Sequence, residues 1–211
     1  MLKDTEFRNY HDVIGFKFFN YSNIFPISDF KQDNLKTLII SSPSSAFIKI
    51  LYYQLSNMDI FRLNKYYMEI IKVKLIKKTS FSNSVITGTP IVLFENNHEN
   101  KYYSFEKNPD FNFFFNRLKN NSIKKYVAYT GDDIEENFNI FDVFEFNKEV
   151  SIRLSIRNNS FIIIGSLWKN LEKEINKDNR KFYNFLFDCG LGEKNSLGFG
   201  FINNNRRWNY C

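Results

Sequence analysis

Aromatic and aliphatic residues crowd FKFFNYSNIF, Phe16 to Phe25, a stretch closed by Pro26 that predicts a first strand. A second strand is expected over LKTLIISSP, Leu35 to Pro43. It leads into SSAFIKILYYQLSN, where Phe47, Ile50, Leu51, Gln54 and Leu55 recur at helical spacing behind a serine cap. YYMEIIKVKLIKK then alternates, with Ile71, Val73 and Leu75 on one side and Lys72 and Lys74 on the other, which predicts a half-buried strand with a positive outer face. The small polar stretch KKTSFSNS, Lys77 to Ser84, reads as a linker.

After that linker the pattern begins again. VITGTPIVLFE predicts a strand, and Phe111, Phe114, Phe115 and Leu118 form one helical stripe within a helix over Phe111 to Tyr126. Strands are expected at Phe138 to Phe146, Val150 to Ile156 and Ser160 to Ser166. A mostly helical WKNLEKEINKDNRKFYNFLFDCG follows, stopping at Gly190, and GFGFI makes the last strand. Strand, helix, strand, strand, helix, strand is the ferredoxin-like order. The second half shows it whole; the first lacks its opening strand and keeps only the end of its opening helix, DTEFRNYHD. The expectation is an α+β protein of tandem ferredoxin-like (RRM-like) domains, residues 1–80 and 84–211.

Composition agrees with a folded chain, since 43% hydrophobic residues, including 25 Phe and 12 Tyr, offer enough apolar surface to offset ordering entropy. The net charge of +6 favours polyanionic partners without naming one. Cys189 and Cys211 form no CxxC, which argues against a disulfide framework or zinc site and for a reducing compartment. Apolar runs such as FIIIG are too short to span a membrane, and MLKDTEFRNY lacks the apolar core of a signal peptide, so the expected location is the cytoplasm. The acids of GDDIEEN read as a solvated turn, and His98 in NNHENK as a hairpin tip; no metal or cofactor is expected.

Four of the eight glycines fall in GLGEKNSLGFG, as Gly190, Gly192, Gly198 and Gly200. A glycine loop lets a backbone approach a phosphate closely. It follows a helix and precedes a strand, however, the reverse of the nucleotide-binding order, and contains no GxxxxGK[ST]. The plain alternative is a helix cap and a tight turn. As a whole, with Glu193, Lys194, Asn195 and Ser196 inside it, the motif resembles the C-terminal glycine-rich signature of the CRISPR repeat-processing endoribonucleases of the RAMP superfamily.

HDVIGFKFFNYS resembles that family's histidine followed by a KxFTxS strand, with Lys17, Phe19 and Ser22 in place and Asn20 for the threonine. TGTPIVLF is similar to its SPIVV strand, with Thr89 for serine, and KKYVAYTG to its KYxxxxG segment. The resemblance implies metal-independent cleavage of CRISPR repeat RNA into guide RNAs. The 2′-hydroxyl attacks the phosphate and leaves 2′,3′-cyclic phosphate and 5′-hydroxyl ends. It implies His11 as general acid or base and Lys17 as the electrostatic stabiliser. RNA contacts are expected from Gly190, Gly192, Lys194, Asn195, Ser196, Gly198 and Gly200, and from Arg206 and Arg207 in the tail RRWNY, with Lys72, Lys74, Lys77 and Lys78 as weaker candidates.

Family members carry a strand and most of a helix ahead of the histidine, so the expectation is a fragment or a shortened paralogue, with no residue to match the tyrosine that some members place on that helix. The rival readings are a catalytically inactive repeat-RNA-binding protein, serving a CRISPR surveillance complex, and a fragment whose open edge pairs into a homodimer.

Overall fold

The computed structural model describes residues 5–8, 15–63, 66–77, 80–96, 99, 101–156 and 159–205. From the N-terminus the elements are β1 (Asn20–Tyr21), β2 (Ile40–Ser41), α1 (Ser45–Ser56), β3 (Ile60–Leu63), β4 (Tyr66–Glu69), β5 (Ser84–Thr87), β6 (Phe94–Asn96) and β7 (Lys101–Tyr102). They continue with α2 (Phe111–Thr130), β8 (Val143–Ile156), β9 (Asn159–Glu172), α3 (Arg180–Cys189), a 3-10 turn at Asn195–Leu197 and β10 (Ile202–Asn204).

The second half forms one antiparallel sheet in the order β10-β5-β9-β8, with α2 joining β5 to β8 and α3 joining β9 to β10. That is the ferredoxin-like arrangement, with the β6–β7 hairpin inserted between β5 and α2. The first half carries the short β1–β2 ladder, α1 and the β3–β4 hairpin. Among the described residues no helix is long and apolar enough to cross a membrane.

Helix α1 starts on its expected serine cap, and α2 starts on Asp110. The Ser44 side chain accepts from the Phe47 amide at 3.2 Å, and Asp110 accepts from the Phe113 amide at 3.0 Å. Helix α2 runs a turn beyond the expected Tyr126 and stops at Gly131, whose φ of 73° is the left-handed cap. Its buried stripe, Phe114, Leu118, Ile123 and Tyr126, faces Trp168, Leu171, Phe182 and Leu186. Trp168 is the hub: it is 1% exposed, with the rings of Phe105, Phe111, Phe114, Phe115, Phe144 and Phe146 all within 6.1 Å.

Several boundaries differ from expectation for identifiable reasons. The strand expected at Phe16–Phe25 is reduced to Asn20–Tyr21, because Phe18 takes a positive φ of 45° and breaks the extended run. The partner expected at Leu35–Pro43 shrinks likewise to Ile40–Ser41. Among the described residues of the strand expected at Tyr66–Lys78, the ladder covers Tyr66–Glu69, paired with β3; alternation marks a face but supplies no partner strand. VITGTPIVLFE divides at Gly88–Pro90 into β5 and β6.

Further on, two expected strands merge into the 14-residue β8, and β9 continues to Glu172 where a helix was expected. The register explains both errors. Phe146 pairs with Trp168 and Glu145 with Asn170, so Lys169 is an extra residue; Lys148 pairs with Leu167, which makes Asn147 another. The bulge at Lys169 puts Trp168 and Leu171 on one buried face, a strand imitating helical i, i+3 spacing.

Trp168→Ala is expected to destabilise the protein by about 3–5 kcal/mol, the range for emptying a large aromatic site. Urea unfolding of the two proteins measures it, and a loss below about 1 kcal/mol would contradict the hub.

Candidate nucleic-acid interface

Leaving α3, the chain makes the expected helix stop, with the Gly190 amide bonded to the Leu186 carbonyl at 2.8 Å. The next ten residues fold back on themselves: the Leu191 amide meets the Gly200 carbonyl at 2.9 Å, and the Gly198 amide meets the Asn195 carbonyl at 2.8 Å. Two glycines show why this loop needs them. Gly198 has φ 85° and lies against the Tyr21 ring, and Gly200 has φ 74° with the Leu191 carbonyl where a Cβ would stand. The plain reading of a cap and a turn therefore describes part of the loop, but only part.

Three distant segments hold it. The Thr89 hydroxyl accepts from the Phe201 amide at 2.7 Å, and the Pro90 carbonyl accepts from the Gly200 amide at 2.7 Å. The Val92 carbonyl accepts from the Glu193 amide at 2.7 Å, and Asn121 on α2 donates to the Glu193 carboxylate at 2.7 Å. From the first half, β1 packs Asn20 against Gly190 and Tyr21 against Gly198. The third support is Lys125 of α2, 1% exposed, whose ammonium donates to the Gly190 carbonyl at 2.7 Å, the Gly192 carbonyl at 3.0 Å and Asn195 Oδ1 at 2.9 Å. Asn195 in turn donates through Nδ2 to the carbonyls of Leu191 and Phe199, both at 3.0 Å, tying the two arms together.

Against this loop lies a cleft of about 240 Å³, lined by Gly15 to Phe19, Phe94, Lys125, Cys189 and Gly192 to Ser196. The structure thus brings half-buried Lys17 together with Gly192, Lys194, Asn195 and Ser196. Gly190, Gly198 and Gly200 shape the loop without lining the cleft. The backbone amides of Lys194, Asn195 and Ser196 donate to no acceptor among the described residues, as expected of the first residues of a 3-10 turn. Lys194 Nζ stands 5.2 Å from the centre of the Phe94 ring, a cation–π contact at the cleft wall.

The rest of the KxFxxS segment serves packing. Phe19 stacks on Phe47 at 5.3 Å, and the buried Ser22 hydroxyl donates to Asn23 and accepts from Ile39. Lys72, Lys74 and Lys77 stay exposed, and none lines the cleft. His11, Arg206, Arg207, Lys78 and His98 lie outside the described residues.

Burial pushes the Lys125 ammonium below its ordinary value, against a smaller opposing pull from Cys189 and Glu193. Burial raises the Cys189 thiol. Among the described residues no three His, Cys, Asp or Glu side chains gather as metal ligands. The residue missed in the sequence is Lys125: the KKYVAYTG segment was legible, but nothing in its pattern placed a charged residue in the core.

Residues 71–204 match the family model described as "CRISPR associated protein Cas6, C-terminal". The chain is 42% identical over 210 residues to CRISPR-associated endoribonuclease Cas6 2 of Methanocaldococcus jannaschii, an alignment covering 96% of this chain and 87% of that protein. CRISPR-associated endoribonuclease Cas6 1 of the same organism is 27% identical over 207 residues, covering 92% and 76%. A solved structure titled "CRISPR associated protein Cas6" superposes with a TM-score of 0.64 at 26% identity, covering 94% of this chain and 83% of the other.

Gly131 and Gly200 share the left-handed φ, but a Cβ at Gly131 meets open space. Gly131→Ala is expected to cost about 1–2 kcal/mol, the strain alone, and Gly200→Ala distinctly more. Parallel urea unfolding compares them, and equal losses would remove the close-packing account of the loop.

Proposed function

The chain belongs to the CRISPR-associated Cas6 family, and we propose that it is an endoribonuclease that cuts CRISPR repeat RNA into guide RNAs in the cleft between Lys17 and the glycine loop. The observation that carries this reading is that convergence: two motifs more than 170 residues apart in sequence line one cavity, whose rim offers an ammonium and unclaimed amides suited to phosphate. The relatives named above are themselves CRISPR-associated endoribonucleases.

In the proposed reaction the 2′-oxygen attacks the adjacent phosphorus while a base removes its proton. The bond from phosphorus to the 5′-oxygen breaks, and that oxygen takes up a proton. The products are a 2′,3′-cyclic phosphate and a 5′-hydroxyl, with no metal required. His11, outside the described residues, is assigned to proton transfer, and Lys17 to the charge that builds on the phosphorane. Lys194, Asn195 and Ser196 hold phosphate, with Gly190, Gly192, Gly198 and Gly200 shaping their loop; Arg206 and Arg207 extend the contact along the RNA. The assignment treats residues 1–80 and 84–211 as the two domains and places the protein in the cytoplasm.

Repeat RNA incubated with the protein in EDTA is expected to be cut at one bond. Cleavage should be lost with His11→Ala or a 2′-deoxy at the cut, and slowed about 10²- to 10³-fold with Lys17→Ala. Lys194→Ala should reduce the salt slope of RNA binding by about one. Tight binding with no cleavage by the unaltered protein would overturn the nuclease reading in favour of an RNA-holding one.

A further inference from the structure

We infer that Lys125 is the positioning residue of the RNA-holding loop, its buried ammonium fixing the arm from Gly190 to Asn195 in the path that lines the cleft. The inference rests on the functional reading above and assigns a role to a residue that reading leaves unused.

An ammonium has three protons and no acceptor capacity, and here three loop oxygens, at 2.7, 3.0 and 2.9 Å, take all three. Lys125 rises from the C-terminal third of α2, a helix anchored by Leu118, Ile123 and Tyr126 in the core, so the post is rigid. The arm it holds belongs to no strand: from Gly190 to Lys194 its other backbone bonds are made by the amides of Gly190, Leu191 and Glu193 and by the carbonyls of Leu191 and Lys194. Through Asn195 Oδ1 the ammonium also sets which way that amide faces, and hence whether Nδ2 reaches both Leu191 and Phe199.

The carbonyls of Gly190 and Gly192 turn inward to this charge, leaving the amides of Lys194, Asn195 and Ser196 unclaimed on residues that line the cleft. Without the ammonium, two buried carbonyls and the half-buried Asn195 Oδ1 lose their donor, and the arm must shift to reach water. Lys125 also lines the cleft floor, but its protons are committed to the loop, so it acts on RNA through the loop. Other charged groups nearby, Glu193, Lys194 and Lys17, remain when it is replaced.

The test compares the unaltered protein with Lys125→Met, which keeps the volume and removes every donor, and Lys125→Gln, which returns a shorter donor. Binding of a 2′-deoxy, uncleavable repeat RNA, single-turnover cleavage at saturating protein, and thermal unfolding are measured for each. Lys125→Met is expected to bind at least tenfold more weakly, with the saturated cleavage rate changed less than threefold and a cooperative unfolding transition kept. Lys125→Gln should recover part of the affinity.

A folded Lys125→Met that binds within twofold of the unaltered protein overturns the inference while leaving the function intact. Affinity, saturated rate and melting temperature falling together in both variants would also overturn it, because that marks a general stabiliser. If Lys125→Met does not fold, Lys125→Gln decides: at least threefold weaker binding at an unchanged saturated rate supports the role, and unaltered binding overturns it. An unaltered protein that neither binds nor cuts repeat RNA overturns both readings.

Discussion

The glycine loop depends on a charge kept out of water. A lysine ammonium in a protein core costs several kcal/mol unless its protons are all met, and Lys125 meets them with two loop carbonyls and one side-chain amide. The constraint runs both ways. Burial works against the charged form of the lysine, three acceptor oxygens around one nitrogen work for it, and the same three bonds draw the loop inward.

That closure dictates the crowding of glycine. A backbone drawn inward to a buried nitrogen, and folded so that Leu191 bonds to Gly200, has no room for side chains where its arms meet. It also explains why the loop is a meeting point for distant segments. Thr89, Pro90 and Val92 bind its backbone, Asn121 holds Glu193, and β1 covers it from the other side with Asn20 and Tyr21. The contact with β1 brings the Phe16–Phe19 stretch, and Lys17 with it, to the cleft.

Beneath the loop the sheet supplies rigidity. Trp168 is clasped by six phenylalanine rings, and the bulge at Lys169 turns it and Leu171 to the same side. Helix α2 lies on this aromatic layer and carries Lys125, so the site stands on the buried core. Groups that must hold phosphate to within a fraction of an ångström are best borne by such elements.

Local signals in the sequence determined the α+β class, the complete ferredoxin-like order of the second half, the serine cap of α1 and the stop at Gly190, and the glycine loop with Lys17 as candidate chemistry. Apolar period, capping residues and glycine spacing depend on neighbours within a turn or two. Tertiary structure alone decided the rest. Whether an alternating stretch such as Tyr66–Lys78 pairs depends on a strand it must meet in space, and the spacing of Trp168 and Leu171 is helical or strand-like only once a bulge is known. Lys125 was the least legible residue of all. A lysine in KKYVAYTG reads as solvent-exposed because a charge prefers water, and only the three oxygens brought to it from the far end of the chain reverse that preference.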